Sequence, residues 1–344
     1  MSTPLHSPGS ATSAIRRAAH SPENLSAPPD RQHGSSARRG HHCSEASMPS
    51  LQSLLTALVS GLGMGSAYAL VALGFTLVFS ATGYFHLGVA AFVTLGSVGA
   101  YVGVVGLGMG WGLTILLVLV VGAVGGALTE LITVRPVRNR TKNDRTAVML
   151  TTMGFLIAVD SIAALWFGSE KLRVPSYWDG EPFQLGSVPV RRVFAVMIVV
   201  IVVVAVALDI VLRRTSMGRI LRAAHDDPQG IELMGVNFQR TILISFALAG
   251  AFGVLAGLLM SPVTFSSAFV GFDLLLYGFA AMAIGGFGSF KGAIIGASAI
   301  GIVVAMTPLF VTPAAINPLV LLLVVVVLMI RPTGILGLAE VRKI

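Results

Sequence analysis

The fold class this sequence predicts is an all-α polytopic membrane bundle of about eight or nine spanning helices, and three observations predict it. Hydrophobic residues make up 55% of the 344 residues and charged residues 11%, where a soluble globule carries about 25% charge. The apolar residues collect in runs near the roughly 20 residues that a helix needs to cross a bilayer. The charges fall between those runs, so the net charge of +8 reads as the Lys/Arg bias that orients membrane helices, and no nucleic-acid face is expected.

Residues 1–49 are rich in Ser, Pro, Ala, Arg and His and lack periodicity. They are expected to form a disordered tail, too poor in apolar residues to fold. Met48 directly precedes the first apolar run, so a translation start there is an alternative. The single cysteine, Cys43, excludes an intrachain disulfide, and next to His41 and His42 it makes no metal site without a supporting fold. The membrane domain is expected over 50–337, followed by a short tail, 338–344. Spans are expected near 54–79, 85–106, 109–134, 146–168, 193–212, 241–260, 274–284, 293–306 and 314–330. The seventh and eighth are short and are separated by GGFGSFKG (285–292).

Loop charges give the orientation. Residues 135–145 carry a net +4 and residues 213–240 a net +2, whereas 261–272 and 308–313 hold no Lys or Arg. The basic loops and the C-terminus are therefore expected in the cytoplasm. Counting back three spans from Arg135 puts the start of the first run outside, against the basic tail. Either the tail is artefactual, or one segment between 54 and 106 is re-entrant or broken at its glycines.

Within the spans, Gly122/Gly126, Gly253/Gly257 and Gly292/Gly296 form GxxxG pairs, whose default role is close helix packing. GGFGSFKG resembles a phosphate loop, but Phe290 precedes Lys291 where that loop has glycine, and no strand leads into it. No HExxH, GxSxG or spaced His/Cys cluster is present, so neither catalysis nor a bound cofactor or metal is expected. Glu130 and Asp209 read as anchors at cytoplasmic helix ends, with Arg135 and Arg213 as partners. Asp273 opens the seventh span, where a carboxylate suits a helix N-terminus. Asp160 lies well inside the fourth span. It is either an interhelical hydrogen-bonding residue or part of a translocation path, for which Thr151, Thr152 and His86 are the accompanying candidates. A lone secondary transporter or facilitator for small polar solutes would depend on Asp160.

The polar island at 213–240 is too charged to span. Ile220, Leu221, Ile231, Leu233 and Met234 nevertheless suit short amphipathic helices packed under a membrane domain, which reads as a docking surface.

Five stretches carry a family resemblance: GLGMGSAYALVALGFTLVFSATG (61–83), RPVRNRTKNDRTAVMLTTMGF (135–155), TSMGRILRAAHDDPQGIELMGVNFQR (215–240), AIGGFGSFKGAIIGA (283–297) and RPTGILG (331–337). In this order and spacing, the chain resembles the permease subunits of branched-chain amino-acid ABC importers, LivH type. Two departures are YFHLG (84–88), where the family reads close to NFAHG, and Asp160, where relatives often carry Gln or Asn. The resemblance implies a non-catalytic bundle in the bacterial plasma membrane. It also implies that the island contacts an ATPase, with Gly218, Arg219, Ala223, Pro228, Glu232, Met234 and Gly235 on recurring positions and Asp226 and Asp227 between them. The implied partners are a second permease of LivM type, two ATP-binding subunits and an extracytoplasmic solute-binding protein.

Overall fold

The computed structural model describes residues 50–141, 144–168, 170–178, 181–185, 188–226 and 238–337. The expected tails, 1–49 and 338–344, lie outside them.

Lipid offers no partner to a backbone amide, so each apolar run closes its hydrogen bonds internally as a helix. The first, α1 (Leu51–Thr82), starts at Ser50, whose hydroxyl accepts from the Ser53 amide at 3.2 Å. It stops at Gly83, whose left-handed φ of +73° lets its amide bond back to Phe79 O. Next come α2 (Val89–Tyr101), which runs on through a π turn at Val102–Gly106, and α3 (Trp111–Leu128), followed by a π turn at Thr129–Val134 and α4 (Arg135–Arg140). Pro136 explains the second π turn. It has no amide hydrogen, so the α-helical ladder fails there and the chain widens, with Arg135 N–H donating to Glu130 O.

The fourth span is α5 (Arg145–Phe167), capped by Asp144, which accepts from the Thr146 amide at 3.0 Å. A small hairpin of β1 (Phe183–Leu185) and β2 (Val188–Val190) leads into α6 (Arg192–Arg214), and α7 (Ser216–Asp226) follows it. The remaining helices are α8 (Phe238–Thr264), α9 (Val270–Gly285), α10 (Phe290–Phe310) and α11 (Ile316–Ile330). Among the described residues, eight helices are long and apolar enough to cross a membrane, and the 16-residue α9 is a further short apolar helix. All nine expected runs are helical. Residues 85–88, expected at the head of the second span, instead form the linker before α2.

The core is α1, in which every residue from Gly65 to Val78 is buried. It packs against α6, α8, α9 and α10. Each of the three GxxxG pairs faces a neighbouring backbone. A Cβ at Gly122 or Gly126 would strike Gly250 O or Phe246 O of α8, one at Gly253 or Gly257 would strike Val89 O or Val93 O of α2, and one at Gly292 or Gly296 would strike Gly285 O or Ala281 O of α9. Small residues let these backbones touch, which is how helices attract one another in lipid.

The helix ends sort into two groups. At one end lie residues 83–88, 135–141, 144–145, α7, the start of α8, 286–289 and 331–337. At the other, Leu172 and Ser266 exchange backbone hydrogen bonds of 2.7 and 2.8 Å, and Trp111 meets Tyr177 at 5.4 Å. Three helices long and apolar enough to cross a membrane, Leu51–Thr82, Val89–Gly106 and Trp111–Arg140, lie between Leu51 and the basic loop. GGFGSFKG joins α9 to α10 with Gly286 and Gly288 at positive φ and Ser289 capping α10. RPTGILG folds beneath it, and the Ile335 and Leu336 amides donate to Ile284 O and Gly285 O at 2.8 and 2.9 Å. This satisfies carbonyls that the end of α9 would otherwise leave unpaired.

Candidate functional site

Arg213 and Arg214 end α6, and Thr215 turns the chain out of it with an extended backbone, its hydroxyl donating to Val211 O at 2.6 Å. The next helix, α7, is amphipathic. Met217 and Leu221 are buried against the bundle while Arg219 is exposed, and the helix touches α1, α6 and α8. Gly218 sits so close to the Leu212 backbone that no Cβ fits, so a glycine there allows α7 to fold back on the end of α6. Ala223 and Asp226 belong to this helix. Asp227, Pro228, Glu232, Met234 and Gly235 lie outside the described residues. Asp209 and Arg213 pair at 2.9 Å on the exposed side of α6, as their spacing predicts.

The expected partner of Glu130 requires a correction. Glu130 is paired with Arg138 at 3.2 Å, and not with Arg135. The π turn forced by Pro136 carries the helix face round, so that Arg138, two turns on, lies over Glu130. The same Arg138 Nη2 donates to Gln239 Oε1 at 2.8 Å, which ties α4 to the first turn of α8. The Tyr84 hydroxyl lies against this guanidinium without closing a well-formed hydrogen bond.

The four path candidates fall at two levels. Asp160 Oδ1 accepts from Thr94 Oγ1 at 2.8 Å, and Thr94 Oγ1 in turn accepts from the Gly271 amide at 3.2 Å. The buried carboxylate therefore links α5, α2 and the first turn of α9. Two turns along α5, Thr152 Oγ1 accepts from the Leu87 amide at 3.2 Å and donates to Met149 O at 2.9 Å, holding the 83–88 linker. Thr151 donates to Ala147 O at 2.7 Å and is half-buried. His86 is buried in the linker with its ring 4.6 Å from that of Phe246, and neither ring nitrogen has a partner. Outside the spans, burial pushes this imidazole down to about 3.

Two features escaped the sequence reading. One is the Glu130–Arg138–Gln239 knot. The other is a four-ring cluster in which Phe85 meets Phe79 at 5.0 Å, Phe279 at 5.5 Å and Phe287 at 5.5 Å. The eight-residue spacing of Glu130 and Arg138, two helical turns, was the one available signal. Nothing local points to Gln239, 101 residues from Arg138.

A bundle of apolar helices with an amphipathic helix folded across one end defines a multi-pass membrane protein. The chain belongs to the family described as the branched-chain amino acid transport system permease component, whose model matches residues 57–329. It is a permease subunit and not an enzyme. It is similar to the high-affinity branched-chain amino acid transport system permease protein LivH of Escherichia coli K12, at 29% identity over 304 residues, covering 84% of this chain and 97% of that one. LivH of Salmonella typhimurium LT2 is 28% identical, with the same coverage. BraD of Pseudomonas aeruginosa PAO1 is 27% identical over 86% of this chain and the whole of its own length. No solved structure matches the chain.

Proposed function

We propose that the chain is the LivH-type half of the translocation path in a bacterial inner-membrane ABC importer for branched-chain or related amino acids. Its partners are a second permease of LivM type, two ATP-binding subunits under the basic end, and a solute-binding protein at the other end. The basic end is assigned to the cytoplasm because the two loops 135–145 and 213–240 carry an excess of Lys and Arg. That orientation puts Leu51 outside and the C-terminus inside.

The observation that carries the proposal is α7, anchored by Met217 and Leu221 on the core helices while Arg219 faces out. A helix seated in this way moves with whatever grips its outer face. ATP binding draws the ATPases together, α7 follows, and the bundle shifts between two access states according to which state the nucleotide-bound partner prefers. Asp226, Asp227, Pro228, Glu232, Met234 and Gly235 complete the proposed coupling surface. A pull-down in mild detergent tests it. The parent should recover a second permease and the ATPases. Arg219→Glu should insert normally and lose the ATPases. Full recovery with Arg219→Glu would remove α7 from the contact.

A further inference from the structure

The linker between α1 and α2 is marked in three respects. It has glycine at both ends: Gly83 takes a left-handed φ of +73°, and Gly88 faces the His86 ring so closely that a Cβ would lie 2.7 Å from His86 Cε1. It holds Phe85 at the centre of the four-ring cluster, with Phe79 on α1, Phe279 on α9 and Phe287 in the loop before α10. These rings are half-buried, so the cluster closes this end of the bundle while still presenting a surface.

The third respect is polar. Among the described residues, seven buried side-chain atoms lack a hydrogen-bond partner, and five of them are here: Ser80 Oγ, Tyr84 OH, both His86 ring nitrogens and Arg138 Nη1. Unpaired buried groups forfeit their hydration with nothing in return, and native structures avoid them. Five of the seven lie in or against one six-residue linker.

The linker is also wired to the docking surface. Gln239 is the second residue of α8 and belongs to the 213–240 island. Its amide oxygen accepts from Arg138 Nη2, which also pairs with Glu130, and that guanidinium lies beside the Tyr84 hydroxyl. A shift of the first turn of α8 therefore reaches Tyr84, and through it Phe85, without passing along a whole helix.

We infer that residues 83–88 form the gate at the basic end of the solute path, with Phe85 as the closing side chain and Arg138 as the positioning residue that ties the gate to the coupling segment. The inference rests on the coupling role proposed for α7 and the island. Arg138 touches no solute. It acts by holding Tyr84 and Gln239 in one register, and displacing Gln239 releases the gate.

The test uses the whole complex in inside-out vesicles, with Cys43→Ser removing the one native cysteine and Phe85→Cys introducing a reporter. The rate of modification by a membrane-impermeant maleimide is compared without nucleotide and with ATP plus vanadate. A gate predicts rates that differ by at least about tenfold, the size of a modest population shift. Equal rates in the two states overturn it. Phe287→Cys, on the facing loop, serves as the reporter if Phe85→Cys does not assemble. Arg138→Lys and Glu130→Gln are then added. The expected result is that the ATPases still co-purify and hydrolyse ATP while the difference in labelling collapses. A difference that survives both substitutions overturns the role of Arg138. If the parent complex binds no ATPase, the coupling proposal fails first. If ATPase binds and labelling ignores nucleotide, the gate alone fails.

Discussion

Replacing Asp160 separates the two roles that a carboxylate inside a span can have. In the structure its Oδ1 accepts one hydrogen bond from Thr94, at 2.8 Å, and Thr94 passes the link to the Gly271 amide. Asp160→Asn keeps that acceptor and removes the charge, so the network survives. The thermal stability of the purified complex should stay within about 1 kcal/mol of the parent, and uptake in whole cells should stay within about twofold. Asp160→Ala removes the acceptor and leaves the Thr94 hydroxyl without one, which costs about 1–3 kcal/mol. Thr94→Val strands the Gly271 amide at a similar cost. Because the two residues share one bond, the double variant should fall short of the sum by about 0.5–3 kcal/mol. The measurements are thermal unfolding of the detergent-solubilised complex and initial uptake rate at matched expression. An Asp160→Asn complex of normal stability that no longer transports would refute the structural role and put the carboxylate on the solute path.

Three further outcomes follow from the geometry. Gly126→Val would drive a side chain into the Phe246 backbone, separating α3 from α8 at a cost of about 1–3 kcal/mol; thermal unfolding checks it against Gly112→Ala, where nothing lies within 4 Å. Gly334→Ala strains a turn at φ +79° and crowds Gly286, so the cap on α9 loosens and proteolysis from the C-terminus should speed up. Burial lowers the folded pKa of His86 to about 3, below the roughly 6.5 of the unfolded chain. Its stabilising contribution is therefore complete above about pH 6.5 and is lost as pH falls toward the folded value, so His86→Phe should flatten the acid limb of a stability–pH curve.

The spans were legible because apolar length is a one-dimensional property, and the shared basic end could be read for the same reason, from charges in the gaps. The GxxxG pairs could be read as contact faces, though not matched to partners: Gly126 needs the Phe246 backbone, 120 positions away. What the pattern hid is whatever depends on local helix geometry or on distant pairing. Nearness in sequence pointed from Glu130 to Arg135, but the structure pairs it with Arg138, across the π turn before Pro136. Phe85 reads as the head of a span until Gly83 and Gly88 are seen to set it apart in a linker. RPTGILG matched the family as a motif, while its use, closing the carbonyls of α9 through Ile335 and Leu336, needed the fold. His86 was singled out, but nothing in the sequence shows that both its nitrogens lack partners.

The most direct test of the central claim is proximity in the native membrane. Arg219→Cys, in a Cys43→Ser background, is treated with a short bifunctional thiol–amine cross-linker in membranes that contain the whole system, and the adduct is identified by mass spectrometry. An adduct between position 219 and an ATP-binding subunit, formed while uptake persists, is the predicted result. Active uptake with no such adduct, and labelling of position 219 by an impermeant thiol reagent added to intact cells from outside, would contradict both the coupling surface and the orientation.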